Sequence, residues 1–313
     1  MQVIGKLEDM REGGACSLAL GAFDGLHRGH MAVVHAAAQG GGQPRVFTFV
    51  EGPKGAPALL TPEDKLLLLE QAGIRQVYRM DFESLRHMEA QRFVEEILFA
   101  KCGAARLCCG EDFRFGKGAA GDVRLLETLC CRAGVQLSVV PPVTDGGGKV
   151  SSTRIRAAIE QGDIPAANRL LGRPFGFSQE VIHGNHIGHS LGTPTINQAL
   201  PEGFVRPRFG VYAAWCLGGG GYHYGVTNIG VKPTVGSDQV LAETWMPGFS
   251  GDLYGKHVRL FLLGFLRPER KFPSLDELRD EIKRNAKMAG EIAAQCPPPG
   301  FGGEGRPSCQ QPI

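Results

Sequence analysis

The stretch Gly21-Ala22-Phe23-Asp24-Gly25-Leu26-His27-Arg28-Gly29-His30 joins a strand-like segment at residues 16–22 to a segment with helical apolar spacing at 28–39. Two histidines three residues apart therefore flank a glycine where a helix begins. A glycine lets a phosphate approach the backbone, and the free N–H groups of a helix N-terminus favour negative charge. The stretch predicts a phosphate site in which His27 and His30 donate hydrogen bonds to charge that develops on a phosphate under attack.

Outward from this turn, strand-like and helical segments alternate through the first half of the chain. The strand-like segments are residues 45–49, 76–80, 106–109 and 136–140, with helical segments at 91–100 and 123–133 between them and at 154–161 and 164–171 after them. This alternation predicts an α/β domain with a parallel sheet, and ligands bind such sheets at the carboxyl ends of the strands. We expect the domain to span residues 1–172.

The second half has a different pattern, in which Gly and Pro interrupt short alternating runs between residues 180 and 266. Such spacing predicts a compact antiparallel β domain, most simply a barrel, over residues 173–291. An amphipathic helix at 275–289 closes it. The remaining residues, 292–313, are rich in Pro and Gly and are expected to form a disordered tail.

Composition limits the classes of function. The 313 residues suffice for two domains, and a net charge of +2 lacks the excess of basic residues typical of nucleic-acid binding. No apolar run reaches the roughly 20 residues that span a bilayer, and the first residues do not resemble a signal peptide. We therefore expect a cytoplasmic protein with neither nucleic acid nor membrane as partner. The nine cysteines lack CxxC spacing, which favours reduced thiols over a zinc site. The oligomeric state is left open.

The turn at 21–30 resembles the HxGH turn of nucleotidyltransferases, and its Phe-Asp-Gly form is similar to that of bacterial bifunctional riboflavin kinase/FAD synthetases. Four further segments resemble motifs of that family and follow in its order: residues 109–118, 150–156, 192–197, and 243–244 with 249–255. The resemblance implies a nucleotidyltransferase-type, Rossmann-like parallel sheet domain, followed by an antiparallel β-barrel riboflavin kinase domain with a closing helix.

The resemblance also implies two reactions on small molecules. Riboflavin takes the γ-phosphate of one ATP to give FMN, and FMN takes AMP from a second ATP to give FAD and pyrophosphate. Mg²⁺ is the implied cofactor. Alternatives are a transferase with only one active half or a changed acceptor, or a non-catalytic flavin-binding or regulatory protein. The non-catalytic alternative is disfavoured by the joint retention of His27, His30, Ser152, Arg156, Thr195, Asn197 and Glu243.

In the first half, the resemblance implies two sets of binding residues. The nucleotide phosphates are expected to contact Gly21, Phe23, Asp24, Gly29, Ser151, Ser152, Thr153 and Arg156. Hydroxyls at a helix start with a guanidinium one turn later suit an anion, although an ordinary helix cap has the same pattern. The flavin is expected to contact Asp112, Phe113, Arg114 and Phe115, for which a surface loop with a packed Phe pair is the alternative.

In the second half, Glu243 is the candidate general base, because a carboxylate beside the ribityl hydroxyl can take its proton. Thr195 and Asn197 are candidate Mg²⁺ ligands, since Mg²⁺ accepts a few oxygen ligands shared with phosphates. The glycines at Gly184, Gly188 and Gly192 are expected to cover the nucleotide phosphates. Taken singly, such glycines are usual in β-turns, and a lone Glu on a strand is usually a solvated residue.

The chain departs from the family pattern at four places, one of which is residues 245–248, where His and Asp are common. Residues 50–53 stand where the family has a Pro-His-Pro element, and His189 and Lys232 stand where an Arg is common. Replacing Arg changes the contacts available at a bidentate phosphate site.

Overall fold

The computed structural model describes residues 1–10, 14–50, 55–184, 192–234 and 237–299, with backbone alone for 232–234 and 237–238. The chain divides into two compact units. The first comprises Met1–Ala58 and Pro62–Ser152, and the second comprises Leu59–Thr61 and Thr153–Ile313.

The first unit contains a six-stranded sheet in which every pairing is parallel, as the alternation of elements predicts. Its strands lie in the order β1-β4-β3-β2-β5-β6. They are β1 (Gln2–Ile4), β2 (Cys16–Leu20), β3 (Gln43–Phe49), β4 (Gln76–Met80), β5 (Ala104–Gly110) and β6 (Gln136–Val140). All five residues of β2 are buried, as expected of a central strand with both faces covered. The carboxyl end of β2 therefore lies between the ends of its neighbours β3 and β5.

The helices of the first unit begin and end at recognisable signals. They are α1 (Arg28–Gln39), α2 (Pro62–Gln71), α3 (Ala90–Arg92), which continues as a π-helix over Phe93–Lys101, and α4 (Val123–Ala133). In α4 the Asp122 side chain accepts a hydrogen bond from the Leu125 N–H, and Gly134 ends the helix in the left-handed conformation. The helix predicted at 91–100 is present, largely as the wider π form.

Shorter elements complete the first unit. Residues Leu7–Asp9 and Lys117–Ala119 form 3₁₀ turns. The strands β7 (Thr144–Asp145) and β8 (Gly148–Lys149) form an antiparallel hairpin.

The second unit contains α5 (Ser152–Gln161) from its second residue onward, α6 (Ile164–Leu171) and a six-stranded antiparallel sheet. The sheet order is β10-β13-β12-β11-β14-β9. The strands are β9 (Phe175–Glu180), β10 (Thr195–Ala199), β11 (Gly210–Gly218), β12 (Gly221–Thr234), β13 (Ser237–Trp245) and β14 (His257–Arg267).

The antiparallel sheet curls so that its two edge strands meet, which gives the barrel-like form expected from the sequence. Gln198 on β10 donates from Nε2 to the carbonyl of Gln179 on β9 at 2.8 Å. Just beyond β9, the Ile182 N–H donates to the Asn197 carbonyl, also at 2.8 Å. Ile182 thus forms an isolated bridge to Asn197 just after β9.

The contacts of α6 place it with the antiparallel sheet. Its Asn168 donates to the carbonyl of Leu262 at 3.0 Å and accepts from the Phe175 N–H at 2.7 Å. The division between the units falls after Ser152, the first residue of α5, whereas the sequence suggests a boundary at residue 172.

The last helix, α7 (Leu275–Gln295), starts at Ser274, whose hydroxyl accepts from the Glu277 N–H. It extends past residue 289, because Ala289 and Ala293, one turn apart, continue its buried face. Residues 292–295 of the expected tail thus belong to this helix, and residues 300–313 lie outside the described part of the chain. Among the described residues, no helix has the length and apolarity that crossing a membrane would require.

Candidate active sites

The turn from Gly21 to His30 leaves β2 through a series of left-handed residues. Phe23, Gly25 and Leu26 have φ values of 50°, 80° and 39°. Glycine adopts this conformation freely, whereas Phe and Leu do so at a cost. Both side chains are fully buried, so their burial offsets the backbone strain. The chain thereby reverses direction at the carboxyl end of the central strand and enters α1 at His27.

His27 is the N-cap of α1. Its Nδ1 accepts a hydrogen bond from the His30 N–H at 3.2 Å, which fixes the proton of a neutral His27 ring on Nε2. The two imidazole rings are stacked, with centroids 3.6 Å apart and planes 15° from parallel. A Cβ on Gly29 would lie 3.2 Å from the His27 ring, a tight contact that would require the ring to shift by a few tenths of an ångström.

Burial, followed by the charges of His27 and Lys65, holds the pKa of His30 well below its usual range. A hydrogen bond to the Asp24 backbone opposes this shift. His30 is therefore neutral at physiological pH. Its Nδ1 is buried and has no hydrogen-bond partner among the described residues, which leaves that atom available to a ligand.

A cavity of about 480 Å³ lies against this turn. Of the predicted site residues it brings together Gly21, Phe23, His27, Gly29, His30, Asp112, Phe113, Ser151 and Ser152. Ser152 ties the first residue of α5 to the turn, because its hydroxyl donates to the Asp24 carbonyl at 2.9 Å. Sequence segments about 120 residues apart thus meet at one cavity, as the parallel-sheet topology requires.

The expected flavin loop divides in two. Asp112 and Phe113 line the cavity, whereas Arg114 and Phe115 do not. Arg114 is exposed and lies 3.6 Å from Asp122. Phe115 is buried in the hydrophobic core, where a Cβ on Gly121 would lie 2.6 Å from its ring. Phe115 therefore fits the packed-pair alternative, since it stacks on Phe113 with centroids 5.5 Å apart.

Two ion pairs were not anticipated from the sequence, and the residues of one of them, Lys149 and Asp112, line the cavity. Lys149 lies 2.5 Å from Asp112 and holds the pKa of that carboxyl below its usual range, and Arg28 lies 2.7 Å from Asp145. Together they attach the β7–β8 hairpin to the loop at Asp112 and to the start of α1. Lys149 directly precedes the motif at 150–156, and this position in the sequence could have marked it as a residue of the site. Residues 140–143 add an apolar wall to the same cavity.

The remaining phosphate residues of the first half have separate positions. Asp24 is buried within the turn, and Thr153 is exposed on the first turn of α5. Arg156 lies one turn into α5 and is half-buried. Thr153 and Arg156 belong to the second unit. Residues 51–54, where the family has its Pro-His-Pro element, lie outside the described residues.

In the second unit, strand register places three polar residues side by side. Asn197 on β10 is opposite Glu243 on β13, and Glu243 is opposite Asn228 on β12. Thr195, two positions before Asn197, faces the same side of the sheet and is opposite Trp245. The predicted base and the two predicted metal ligands are thus neighbours. Asn228, which the sequence did not suggest, extends the row and donates to Glu269 at 3.1 Å.

Asn197 carries an oxygen suited to a cation. The residue is 4% exposed, and its Oδ1 has no hydrogen-bond partner within the described residues. A buried acceptor without a partner is costly, so an added cation would satisfy it. Gly184 packs against this amide, where a Cβ would lie 2.4 Å from Nδ2. The amide oxygen and the nearby Thr195 hydroxyl fit Mg²⁺, which uses few protein ligands when it is shared with phosphates.

Across the described residues, no three His, Cys, Asp or Glu side chains cluster as a dedicated metal site. Of the three candidate cover glycines, Gly184 lies beside Asn197, and Gly192 has a φ of 72°. Gly188 and the departure at His189 lie in residues 185–191, outside the described residues. The side chain at Lys232 is also outside them.

The fold and these two sites define a nucleotide-dependent transferase with two catalytic units. The FAD synthetase family model matches residues 9–154, and the riboflavin kinase family model matches residues 171–293. The bifunctional riboflavin kinase/FMN adenylyltransferase of Escherichia coli K12 is 35% identical over 290 residues, which cover 88% of this chain and 92% of that protein. That of Pseudomonas fluorescens is 35% identical over 94% of this chain and 98% of its own length.

The chain therefore belongs to the bifunctional riboflavin kinase/FMN adenylyltransferase family. It phosphorylates riboflavin with ATP to FMN, and it adenylylates FMN with ATP to FAD with release of pyrophosphate. The solved structure of a protein described as a macrolide-efflux protein from Streptococcus pneumoniae has a TM-score of 0.84 to this chain. At 28% identity it covers 93% of this chain and 99% of its own, so the fold is shared over nearly the full length.

Proposed function

We propose that the two reactions are divided between the two units. Adenylyl transfer takes place at the cavity beside residues 21–30, and riboflavin phosphorylation at the row formed by Asn197, Glu243 and Asn228. The stacked His27–His30 pair at the cavity is the observation that carries this assignment. The separate matches of the two family models, one to each half, support it.

In adenylyl transfer, a phosphate oxygen of FMN attacks the α-phosphorus of ATP. A new P–O bond forms as the α–β phosphoanhydride bond breaks, and pyrophosphate leaves. His27 donates from Nε2 to the developing charge, because its Nδ1 is occupied by the helix cap. The hydroxyls of Ser151 and Ser152, which line the same cavity, hold the polyphosphate.

His30 contributes through its buried Nδ1. One side of its ring already contacts the Asp24 backbone, so a neutral ring offers a lone pair at Nδ1. The negative charge of a bound phosphate favours the imidazolium, which raises the pKa of His30. The protonated ring then donates from both nitrogens, one to Asp24 and one to the phosphate. Asp112 and Phe113 lie on the same cavity and are proposed to contact the flavin.

In the kinase reaction, Glu243 accepts the proton of the terminal ribityl hydroxyl as that oxygen bonds to the γ-phosphorus and ADP leaves. Asn197 and Thr195 would hold Mg²⁺, which when bound neutralises charge on the ATP phosphates. The glycines at Gly184, Gly188 and Gly192 let the backbone approach those phosphates.

We propose that the protein is located in the cytoplasm. The eight cysteines in the described residues are all free thiols, a state typical of a reducing compartment.

The division of labour is tested with two variants that each lack one activity. Each variant, Glu243→Gln or His30→Ala, is incubated separately with riboflavin, ATP and Mg²⁺. The FMN and FAD formed are then separated chromatographically. We expect the first variant to make little FMN and the second to make FMN but little FAD. A mixture of the two should make FAD from riboflavin, because FMN released by one is used by the other. If the mixture makes no more FAD than either variant alone, the assignment of the reactions to separate sites is wrong.

A further inference from the structure

Lys65 on α2 joins the ends of two neighbouring strands beneath the histidine turn. Its Nζ donates to the Ala22 carbonyl and to the Thr48 hydroxyl, both at 2.8 Å, and to the Phe49 carbonyl at 3.4 Å. The three hydrogens of the ammonium group thus have three acceptors. The Thr48 hydroxyl in turn donates to the Ala22 carbonyl at 2.9 Å, which closes the network.

These acceptors lie at the point where the site is built. Ala22 directly follows the first glycine of the turn, between β2 and the strained Phe23. Thr48 and Phe49 are the last two residues of β3, the strand paired with β2. A single side chain therefore fixes the distance between the carboxyl end of β3 and the backbone that carries both histidines.

The electrostatics of Lys65 also connect it with the site. Burial lowers the pKa of Lys65 to about 8, an effect that the negative charge of Asp24 opposes and the positive charge of Arg79 reinforces. The Lys65 charge is itself one of the causes that lower the pKa of His30. The titratable groups that interact with the ammonium are Asp24 on the turn, Arg79 on β4 and His30 on α1. An apolar side chain of similar length would avoid the desolvation cost.

We propose that Lys65 is a positioning residue for adenylyl transfer, which acts through the Ala22 carbonyl and Asp24 to hold the turn at residues 21–30 in its reactive geometry. The inference rests on the proposed role of that turn. It assigns Lys65 no contact with substrate, and it predicts no effect on riboflavin phosphorylation, whose proposed residues belong to the other unit.

Lys65→Met tests the proposal, with Lys101→Met as the matched control. Lys101 belongs to the same unit and also donates to a backbone carbonyl, that of Leu7, but it does not line the cavity. In Lys65→Met we expect kcat for conversion of FMN to FAD to fall by roughly 10- to 100-fold, the scale of a displacement of about 1 Å in a site. KM for ATP should change less, and FMN formation, measured in the same sample, should be retained. Lys101→Met should retain both activities.

Lys65→Arg provides a second measurement. Lys65 is protonated below its pKa of about 8 and neutral above it, so the wild-type adenylyl transfer rate should fall as the pH rises through that value. A guanidinium stays charged throughout this range. The variant should therefore recover part of the activity lost in Lys65→Met, and its alkaline fall should move to higher pH.

The outcomes separate this inference from the proposed function. If His30→Ala abolishes FAD synthesis while Lys65→Met leaves kcat unchanged, the role of Lys65 is wrong and that of the turn stands. If His30→Ala has no effect, the role of the turn is wrong. If Lys65→Met fails to fold and loses both activities, the pH profile of Lys65→Arg decides. An alkaline fall that remains near pH 8 in that variant overturns the proposal.

Discussion

The rings of His27 and His30 stack face to face, with centroids 3.6 Å apart, and His27 Nδ1 accepts the backbone N–H of His30. Burial, and after it the repulsion between two imidazolium rings at this separation, hold the pKa of His30 well below its usual range. The pair is therefore prepared for a ligand that brings negative charge, and polyphosphate is such a ligand.

Replacing His30 by Ala should lower the rate of adenylyl transfer by roughly 10²- to 10³-fold, the usual effect of losing one donor to transition-state charge. FMN formation from riboflavin should be unaffected. Both rates are measured by chromatography on the same preparation. His35→Ala is the matched control, because His35 is exposed on the same helix and lies outside the cavity. Unchanged FAD synthesis in His30→Ala would contradict the histidine assignment.

The sequence predicted those features of the first site that depend on which residues follow one another along the chain. A glycine between two histidines, placed between a strand and a helix, specifies a turn at the end of a parallel strand. The parallel sheet, the antiparallel second unit and the closing helix are likewise confirmed, because each follows from apolar spacing that local geometry determines.

Features that depend on tertiary contacts were harder to predict from the sequence. Phe113 and Phe115 are chemically equivalent in the sequence, and only packing against Gly121 shows that Phe115 belongs to the core. Lys65 sits in a helix whose pattern suggests an ordinary solvated lysine, and its partners lie 16 to 43 residues away along the chain. Asn228 beside Glu243 follows from strand register, which a sequence without a clear hairpin turn does not specify.

Replacing Glu243 by Gln should slow FMN formation by roughly 10²- to 10⁴-fold, because the amide keeps the shape of the side chain but cannot accept the hydroxyl proton. Conversion of added FMN to FAD should proceed at the parent rate. Glu277→Gln, an exposed change on α7, controls for the altered charge of the second unit. Equal loss of both activities would show instead that Glu243 maintains the fold or that the units are strongly coupled.

Replacing Asn197 by Ala should raise the Mg²⁺ concentration needed for half-maximal FMN formation, because it removes the unsatisfied amide oxygen that suits the cation. Thr195→Ala should act in the same direction. The Mg²⁺ dependence of FMN-to-FAD conversion, titrated in parallel, should stay at the parent value. A normal Mg²⁺ dependence of FMN formation in Asn197→Ala would remove the basis for the metal assignment.

Shortening the chain should have different effects on either side of Pro299. Trp215 Nε1 donates to the Cys296 carbonyl at 2.7 Å, and the Tyr222 hydroxyl donates to the Pro299 carbonyl at 2.6 Å. A chain that ends at Pro299 should keep the parent melting temperature. A chain that ends at Gln295 loses both bonds, each worth about 0.5–1.5 kcal/mol.

Thermal unfolding of the second unit, followed by calorimetry, measures this difference. At roughly 2–4 °C per kcal/mol for a domain of this size, the shorter chain should melt several degrees lower. Trp215→Phe should lower the melting temperature of the longer chain but add little to the effect of ending at Gln295, since the bond is already absent there. Equal melting temperatures for the two shortened chains would show that these bonds contribute nothing.

The low pKa of His30 also predicts how stability depends on pH. An unfolded histidine takes up its proton near pH 6.5, whereas folded His30 stays neutral well below that value. As the pH falls below about 6.5, the unfolded state binds the additional proton and the free energy of unfolding decreases, by at most about 1.4 kcal/mol per pH unit for this group. His30→Gln has no such proton to bind. Its first unit should therefore lose less stability between pH 7.5 and pH 5.5 than the parent does. Thermal unfolding of both proteins at both pH values measures this difference. A parent and His30→Gln variant that lose the same stability over this range would show that His30 titrates normally in the folded protein.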